Sequence, residues 1–474
     1  MGGASAVAVT GRFASLMALG VVLALLWPDP AYVRLWWVAC LALLAIDLAL
    51  ATSPGKLAAT RAPVEAVRLG ASTISRLRVT NLATRRVRLA VRDAWQPSAG
   101  AAGERTRMML AAGRSEDLDV RLTPTRRGDR LTDRVTLRIF GPLGLGARQR
   151  SFDVPGLVRA LPPFASRRHL PSLLASLRQL DGRSAVRTRG RGTEFDSLRD
   201  YVDGDDVRSI DWRATARRRD IVVRTWRPER DRHVVMVLDT SRTSAGRVLD
   251  VPRLDSAMDA ALLLAALASR AGDRVEVVMG DRRVHAYVRA DRRHDLLHSL
   301  VTAMAPLEPA LVEADWPALA GTVLTRLRQR ALVVLLTPLE PAAVQESLLP
   351  VLPVLTANHR VVIASVRDPA LAAATLAPVS ASRVTVSEAA VSETAMSGAA
   401  ASEAAVSGYT ARGLGSVTAS QAYDAAAAER TLADRARTAD VLGRLGVDVL
   451  DEPPDRLPLA LCQHYLALKA RGLL

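Results

Sequence analysis

The sequence predicts a multidomain chain with two transmembrane helices, then a small antiparallel β-sandwich, then an α/β doubly wound domain. Two apolar runs lie near the N-terminus, alternating apolar and charged residues follow, and buried-strand patterns then alternate with helical ones. The 474 residues are enough for two or three domains. The expected parts are a tail at 1–12, a helical hairpin at 13–54, a β-sandwich at 55–160, a joining segment at 161–232 and the α/β domain at 233–474.

Two uncharged apolar runs, at 13–27 and 35–46, predict the helical hairpin. A Pro-Asp-Pro turn at 28–30 separates them, and helices do not readily continue through such a turn. Each run is shorter than the roughly 20 residues that cross a hydrocarbon layer. The second run extends to residue 51 if Asp47 is tolerated near an interface.

A cleaved signal peptide and a buried soluble hairpin are the alternatives for these runs. A signal peptide needs a small-residue cleavage site after the first run, where WPDPAYV stands instead. The turn carries only Arg34, whereas Lys56 and many arginines follow the second run. Because positive charge favours the cytoplasmic side, we expect a multi-pass inner-membrane protein with its soluble domains in the cytoplasm.

The sandwich prediction rests on apolar and charged residues that alternate with period two across 57–157, as in strands with one wet face. Over 56–168 there are 23 lysines and arginines against nine acidic residues. A solvated sheet surface is the simplest role for these arginines. Beside a membrane they also favour contact with anionic lipid headgroups, with Arg86, Arg88 and Arg138 as candidates.

The α/β prediction starts from the apolar run 233–238, which is typical of a strand buried on both faces. Further strand patterns alternate with helical ones, which predicts a parallel sheet. These strand patterns lie at 274–279, 284–288, 331–336 and 360–366. Residues 376–418 carry a five-residue serine repeat that cannot bury a core, so we expect a flexible insertion there.

Asp239, Ser241 and Thr243 follow the first buried strand, at the edge where open α/β sheets place ligands. This Asp-x-Ser-x-Thr motif resembles the first part of the metal-ion-dependent adhesion site of von Willebrand factor A domains. One carboxylate and two hydroxyls suit a hard ion, so Mg²⁺ is the candidate cofactor. The two other ligand positions of that site hold Ala314 and Pro338, so the site is degenerate. Capping of a helix is the alternative role.

The joining segment carries a long motif of charged, aromatic and turn residues, which we take as a candidate docking surface. Its residues are Arg199, Tyr201, Gly204, Asp205, Asp206, Arg208, Asp211, Trp212 and Arg217. The motif resembles the signature of the bacterial family called domain of unknown function 58, as do the turn 141–145 and the segment 465–472. An interdomain brace of ion pairs is the alternative role, and we expect Trp212 to anchor a strand-like stretch onto a domain face.

The resemblance implies a membrane-anchored von Willebrand factor A-like protein that partners MoxR-type AAA+ ATPases in chaperone-like assembly or activation of protein complexes. The sequence has no GxxxxGK[ST], GxSxG or HExxH motif, and Cys40 and Cys462 are poorly placed to pair. We therefore expect a non-enzymatic scaffold protein with no nucleic-acid partner. An envelope-associated enzyme of unknown reaction and an arginine-rich nucleic-acid binder are the alternatives.

Overall fold

The computed structural model describes most of the chain in two compact units. The described residues are 6–26, 29–187, 194–203, 205–218, 220–227, 232–289, 295–327, 329–375 and 419–474. The first unit comprises Met1–Pro163 with Met304–Pro306, and the second comprises Phe164–Ala303 with Leu307–Leu474. The insertion expected at 376–418 lies outside the described residues.

The first unit contains two apolar helices, α1 (Gly11–Leu26) and α2 (Pro30–Leu50), which pack against each other. The indole N–H of Trp36 donates to the carbonyl of Leu16 over 3.2 Å, and a Cβ at Gly20 would meet the Trp36 ring at 2.7 Å. Close approach of the helices therefore requires glycine at position 20. By length and composition, the segment Pro30–Lys56 is long and apolar enough to cross a membrane.

Two sheets follow and share one apolar core. Their strands are β1 (Ala6–Val9), β2 (Leu57–Arg61), β3 (Val67–Arg68), β4 (Thr73–Asn81), β5 (Val87–Trp95), β6 (Ala101–Ala102), β7 (Arg105–Leu110), β8 (Ser115–Leu122), β9 (Gly128–Phe140), β10 (Gly146–Phe152) and β11 (Leu157–Leu161). One sheet has the order β2-β4-β8-β6; in the other, β9 pairs with β5, β10 and β11, while β7, β1 and β3 extend it. Leu77 and Val120 of the first sheet and Leu89 and Leu137 of the second are fully buried in the common core.

The N-terminal residues correct the tail expected at 1–12. Ala6–Val9 form β1, which pairs antiparallel with β10, and α1 already begins at Gly11. The Thr10 hydroxyl also donates to the Gly144 carbonyl over 2.7 Å. The physical reason is that β10 would otherwise be an edge strand with unpaired backbone groups, and the short apolar segment before α1 covers it.

The second unit is built on one sheet with helices around it. Its elements are α3 (Leu170–Arg187), β12 (Glu194–Asp200), α4 (Trp212–Arg218), β13 (Val222–Arg227), β14 (His233–Asp239), α5 (Arg242–Ala245), β15 (Arg247–Val248), β16 (Val251–Pro252), α6 (Arg253–Arg270), β17 (Arg274–Gly280), β18 (Val284–Arg289), α7 (Leu296–Met304), α8 (Trp316–Arg326), β19 (Ala331–Leu336), α9 (Pro341–Ala343), α10 (Leu352–Asn358), β20 (Arg360–Val366), α11 (Ala419–Arg444), β21 (Asp448–Glu452) and α12 (Leu457–Ala470).

The six strands of that sheet have the order β18-β17-β14-β19-β20-β21, and only β18 runs antiparallel to its neighbour. Val235 and Val237 of β14 pack with the cluster that contains α8 and α10. The helices α6 and α12 contact each other, and α6 also contacts β14, β17 and β20. Since both faces are covered, β14 and β19 are almost wholly buried, and their carboxyl ends meet at one edge.

Candidate functional site

A buried polar cluster lies at the carboxyl edge of this sheet, where β14 and β19 end side by side. Asp239 is the last residue of β14 and Thr337 follows β19. The Asp239 carboxylate accepts from the Ser241 N–H at 2.8 Å, from the Thr243 hydroxyl at 3.0 Å and from the Thr337 hydroxyl at 2.7 Å. Asp239 is only 1 % exposed, so these three donors replace the water it loses on folding. The structure thus brings all three predicted residues together.

The hydroxyl protons of the cluster have fixed directions. Because the single Thr243 proton is donated to Asp239, the 3.1 Å contact between Thr243 and Ser241 requires the Ser241 hydroxyl to be the donor. Thr337 follows the neighbouring strand β19, and its hydroxyl donates to the same carboxylate. The cluster is therefore a satisfied hydrogen-bond network rather than a free carboxylate.

The cavity beside the cluster fits a resident Mg²⁺ poorly. It has a volume of about 150 Å³, and Ala314 and Pro338 line it where adhesion-type sites supply further ligands. Glu313 also lines it but is paired with the guanidinium of Arg242. Among the described residues, no group of three His, Cys, Asp or Glu side chains is placed to hold a metal. A six-coordinate Mg²⁺ ion would have to displace the hydrogen bonds of Asp239. In return, the cavity would offer the ion little further negative charge.

The predicted docking motif forms a separate substructure around the antiparallel pair β12–β13. Arg199 donates to Asp205 over 2.5 Å, and the second Asp205 oxygen accepts from the Val202 N–H at 3.0 Å. The hydrogen bond from Arg199 holds the pKa of Asp205 below its usual value. This ion pair closes the loop that follows β12.

Two further aspartates of the motif cap helical turns. Asp206 accepts from the Arg208 N–H at 3.0 Å. Asp211 accepts from the N–H groups of Arg213 and Ala214 at the start of α4 and from the guanidinium of Arg224 at 2.8 Å. The hydrogen bond with Arg224 lowers the pKa of Asp211. In this motif, Asp205, Asp206 and Asp211 therefore stabilise the conformation of the local backbone.

The aromatic residue of the motif corrects the expectation of a strand anchor. Trp212 begins the helix α4, and its side chain is 65 % exposed. Val202, Val207 and Ile221 of the same substructure are exposed as well. The physical reason is that the Asp211 carboxylate caps a helix start here, so Trp212 begins a helix instead of continuing a strand. We call these four side chains the Trp212 patch.

The remaining residues of the docking motif are Tyr201, Gly204, Arg208 and Arg217. The Tyr201 N–H donates to the Ile221 carbonyl at 2.8 Å, and Arg208 and Arg217 are exposed. Gly204 lies outside the described residues.

A family model confirms the resemblance on which the docking motif was recognised. The model described as "Protein of unknown function DUF58" matches residues 197–397, which include the docking motif and the polar cluster at Asp239. Residues 197–397 belong to the DUF58 family.

Curated relatives of this DUF58 chain include the uncharacterized proteins Rv1480 of Mycobacterium tuberculosis and Mb1516 of Mycobacterium bovis. Each is 28% identical over 152 residues, which is 31% of this chain and 47% of the relative. The match therefore spans about half the length of these relatives.

Solved structures similar to this DUF58 chain include the PapD-like domain 7 of human CEP192, with 12% identity over 23% of this chain and 89% of that domain, and a TM-score of 0.19. A GH20 exo-β-N-acetylglucosaminidase from Vibrio harveyi has 13% identity over 45% of this chain and 28% of the enzyme, with a TM-score of 0.16. TM-scores this low do not establish a common fold.

Sequence motifs missed Asp281 of this DUF58 chain. It follows β17, next to β14 in the sheet, and accepts from the Thr240 hydroxyl at 3.1 Å and pairs with His285 at 2.7 Å. Burial opposes ionisation of Asp281, but the hydrogen bonds from His285 and Thr240 outweigh it and lower its pKa. The signal was available in the sequence, since a second buried strand ends in Gly280-Asp281 and parallel neighbours end at the same edge.

Asp47 of this DUF58 chain is also more than a polar residue tolerated near an interface. It is fully buried in the last turn of α2 and accepts backbone N–H bonds from Leu143, Leu145 and Gly146 at 2.7, 2.8 and 2.9 Å. These three N–H groups of the β9–β10 turn thus form a nest for its carboxylate. The glycines of that turn were the signal for such a nest.

Proposed function

We propose that this chain is a membrane-anchored interaction protein that assists a MoxR-type AAA+ ATPase in the assembly or activation of protein complexes. The observation that carries the proposal is the Trp212 patch, a set of exposed apolar side chains inside the family's signature segment. Exposed apolar side chains within one small substructure favour a protein-binding surface, and tryptophan is enriched among the residues that dominate binding energy.

The backbone around the Trp212 patch is held in place by its own polar groups. The pair Arg199–Asp205 closes the loop after β12, and the pair Arg224–Asp211 joins β13 to the start of α4. A surface that is ordered before binding loses less conformational entropy when a partner docks. The ion pairs therefore support binding at the patch, and the brace and the docking surface are two aspects of one substructure.

The polar cluster at Asp239 supports a metal-independent form of a von Willebrand factor A-like domain. The sheet order of the second unit, with β14 at its centre and the cluster at its carboxyl edge, is the arrangement that such a domain would need. Because Asp239 already accepts three hydrogen bonds, partner binding in this proposal does not pass through a bound ion.

The two N-terminal helices support a hairpin that crosses the membrane twice. Leu25, Leu35, Val38 and Leu41 expose apolar side chains, as a lipid-facing surface requires. Only 22% of the most apolar window of α2 is buried, which does not suit the core helix of a soluble protein. The arginines that follow α2 favour a cytoplasmic position for the units beyond it.

The test uses the full chain in lipid nanodiscs and the purified MoxR-type ATPase of the same organism. We expect Trp212→Ala to weaken binding about 30-fold, since truncating a central tryptophan costs about 2 kcal/mol. The matched control is Tyr423→Ala, because Tyr423 is a 78 % exposed aromatic residue of the same unit outside the Trp212 patch. Addition of EDTA should leave the affinity unchanged.

Three results would contradict the proposal. The wild-type chain would show no binding to the ATPase, or both tryptophan and tyrosine variants would lose affinity equally, or EDTA would abolish binding. The melting temperature of each variant in nanodiscs separates a local effect from unfolding, and exposed side chains such as Trp212 should change it little.

A further inference from the structure

The outer face of the β1-β10-β9-β5-β7 part of the second sheet carries an arginine-walled cavity of about 490 Å³. We call it the arginine basin. Its floor is Ala90, and its walls include Arg92, Arg105, Arg107 and Arg138. In the strand register Ala90 lies opposite Arg107 on one side and Arg138 on the other. A methyl group between two long side chains creates the concavity.

Within the described part of the chain, the positive charges of the basin have no carboxylate partner. Among the residues that the structure describes, no aspartate or glutamate forms an ion pair with any of its four arginines. Arg92 and Arg105 even lie directly opposite each other in the register, an arrangement of like charges that costs stability. Arg138 makes two hydrogen bonds to the Gln149 side-chain oxygen, at 3.0 and 2.8 Å. That neutral partner orients the guanidinium and leaves its charge uncompensated.

In the other sheet of the sandwich, two exposed arginines form ion pairs with aspartates. Arg76 lies opposite Asp119 and Arg78 lies opposite Asp117, with ion pairs of 3.0 and 2.7 Å. At the β11 end of the second sheet Arg159 pairs in register with Asp129 in the same way, at 2.7 Å, whereas the four arginines of the basin have no such aspartate among the described residues. A general need for a soluble surface does not account for this difference, whereas an anionic ligand does.

The position of the basin indicates the source of that anion. Arg85 donates to the Leu50 carbonyl and to the Thr52 hydroxyl, so it holds the end of α2 on the sandwich. Arg88 donates to the Gly141 carbonyl in the turn that binds Asp47 of α2. Along β9, Arg138 is two residues from Phe140, which ends the strand beside this junction. At about 3.3 Å per residue the basin begins roughly 7 Å from Phe140, which lines a cavity together with Leu50 at the end of α2, and that distance is comparable with a headgroup layer.

We propose that the arginine basin binds the phosphate of an anionic phospholipid headgroup from the membrane in which α2 is anchored. Guanidinium groups bind phosphate oxygens in bidentate pairs, and four of them around one cavity suit a phosphodiester with its glycerol. The lipid source rests on the membrane anchorage of the proposed function, whereas the phosphate chemistry rests on the basin alone.

The test measures binding of phosphatidylglycerol to the detergent-solubilised full chain by native mass spectrometry, with phosphatidylcholine as the neutral lipid. The basin variant is Arg107→Gln with Arg138→Gln, and the control is Arg76→Gln with Arg78→Gln, which removes the same charge from the other sheet. We expect the basin variant to lose at least about tenfold in phosphatidylglycerol affinity, since each lost guanidinium removes charge-assisted hydrogen bonds. The control should change it less than about twofold, within the scatter of surface charges.

Competition and fractionation separate the outcomes. The proposal is contradicted if both double variants lose the same phosphatidylglycerol affinity. It is also contradicted if the wild-type chain binds the two lipids equally. If glycerol 3-phosphate or a DNA duplex displaces the phospholipid at equimolar concentration, the anion is soluble and the lipid assignment is wrong. Retention of the chain in carbonate-washed membranes is measured in parallel. Loss of the chain from the washed membranes contradicts the proposed function. A chain that is retained but shows no preference for phosphatidylglycerol contradicts only this inference. Both double variants must keep the wild-type melting temperature to count.

Discussion

The carboxylate of Asp47 accepts a 2.7 Å hydrogen bond from the backbone N–H of Leu143. Two more N–H groups of the same turn complete the nest, so a single buried charge fastens the end of α2 to the β9–β10 turn. A carboxylate at a helix C-terminus is unfavourable toward the helix dipole, and the three donors offset that cost. The helix and the sandwich are therefore coupled through one residue.

Asp47→Asn should destabilise the first unit by roughly 3 kcal/mol, because hydrogen bonds to a charged acceptor are replaced and an amide N–H₂ faces backbone donors. The measurement is thermal unfolding of the full chain in nanodiscs. Asp133→Asn is the control, since Asp133 is exposed on β9 of the same sheet. Equal melting temperatures for the two variants would show that the nest contributes nothing to stability.

Gly141→Ala probes the same nest from the other side. A Cβ at this position would overlap the Asp47 carboxylate, so the turn or the helix must move. We expect a loss of about 2 kcal/mol, typical of overpacking. Gly55→Ala is the matched control, because the nearest atom to its added Cβ is a guanidinium nitrogen of Arg150 at 3.5 Å. A Gly141→Ala protein as stable as the Gly55→Ala protein would contradict the close contact.

The C-terminal helix α12 is held by a buried ion pair in the second unit. Lys469 contacts the Asp273 carboxylate at 3.2 Å, and the Tyr465 hydroxyl donates to the same carboxylate at 2.5 Å. Burial raises the pKa of Asp273 even though Lys469 opposes that shift. Lys469→Met should therefore cost about 3–5 kcal/mol, because it leaves a buried charge without its partner.

The double variant Lys469→Met with Asp273→Asn should be more stable than Lys469→Met alone, since the uncompensated charge is gone. Denaturant unfolding monitored by circular dichroism gives both values. If the destabilisation of the double variant equals the sum of the effects of Lys469→Met and Asp273→Asn measured singly, the two side chains do not interact.

Asp281 gives the second unit a defined response to acid. Its pKa is lowered in the folded protein, so it contributes stability above the unfolded value of about 3.9 and loses that contribution as the pH falls through the folded pKa. The difference in unfolding free energy between wild type and Asp281→Asn should therefore shrink between pH 5 and pH 3. Chemical unfolding at several pH values measures it, and a difference that grows toward pH 3 would reverse the sign we expect.

Much of the fold could be predicted from the sequence because burial imposes a periodic spacing on apolar residues. The strands at 331–336 and 360–366 have the expected bounds, since each is a run of nearly continuous apolar residues. The helix Leu352–Asn358 had no such signal, because its seven residues contain a proline and few periodic positions. The strand Ala6–Val9 was missed because its partner β10 is about 140 residues away and four residues carry no pattern.

The sites were harder to predict than the strands. Asp239, Ser241 and Thr243 were found because a motif names them, but the hydrogen bond from Thr337 depends on the pairing of β14 with β19. The arginine basin depends on Ala90 lying opposite Arg107 and Arg138, which are distant in sequence. Registers between distant strands decide such sites, and a one-residue shift would move every side chain to the other face.

The central claim is that α1 and α2 cross the membrane as a hairpin with the sandwich on the cytoplasmic side. Single cysteines at Asp29→Cys, in the α1–α2 turn, and at Asp133→Cys, in β9, test it in a protein that carries Cys40→Ala and Cys462→Ala. In intact cells a membrane-impermeant maleimide should label position 29 and not position 133, and permeabilised cells should be labelled at both. Labelling of position 133 in intact cells, or protection of both positions there, would contradict the account.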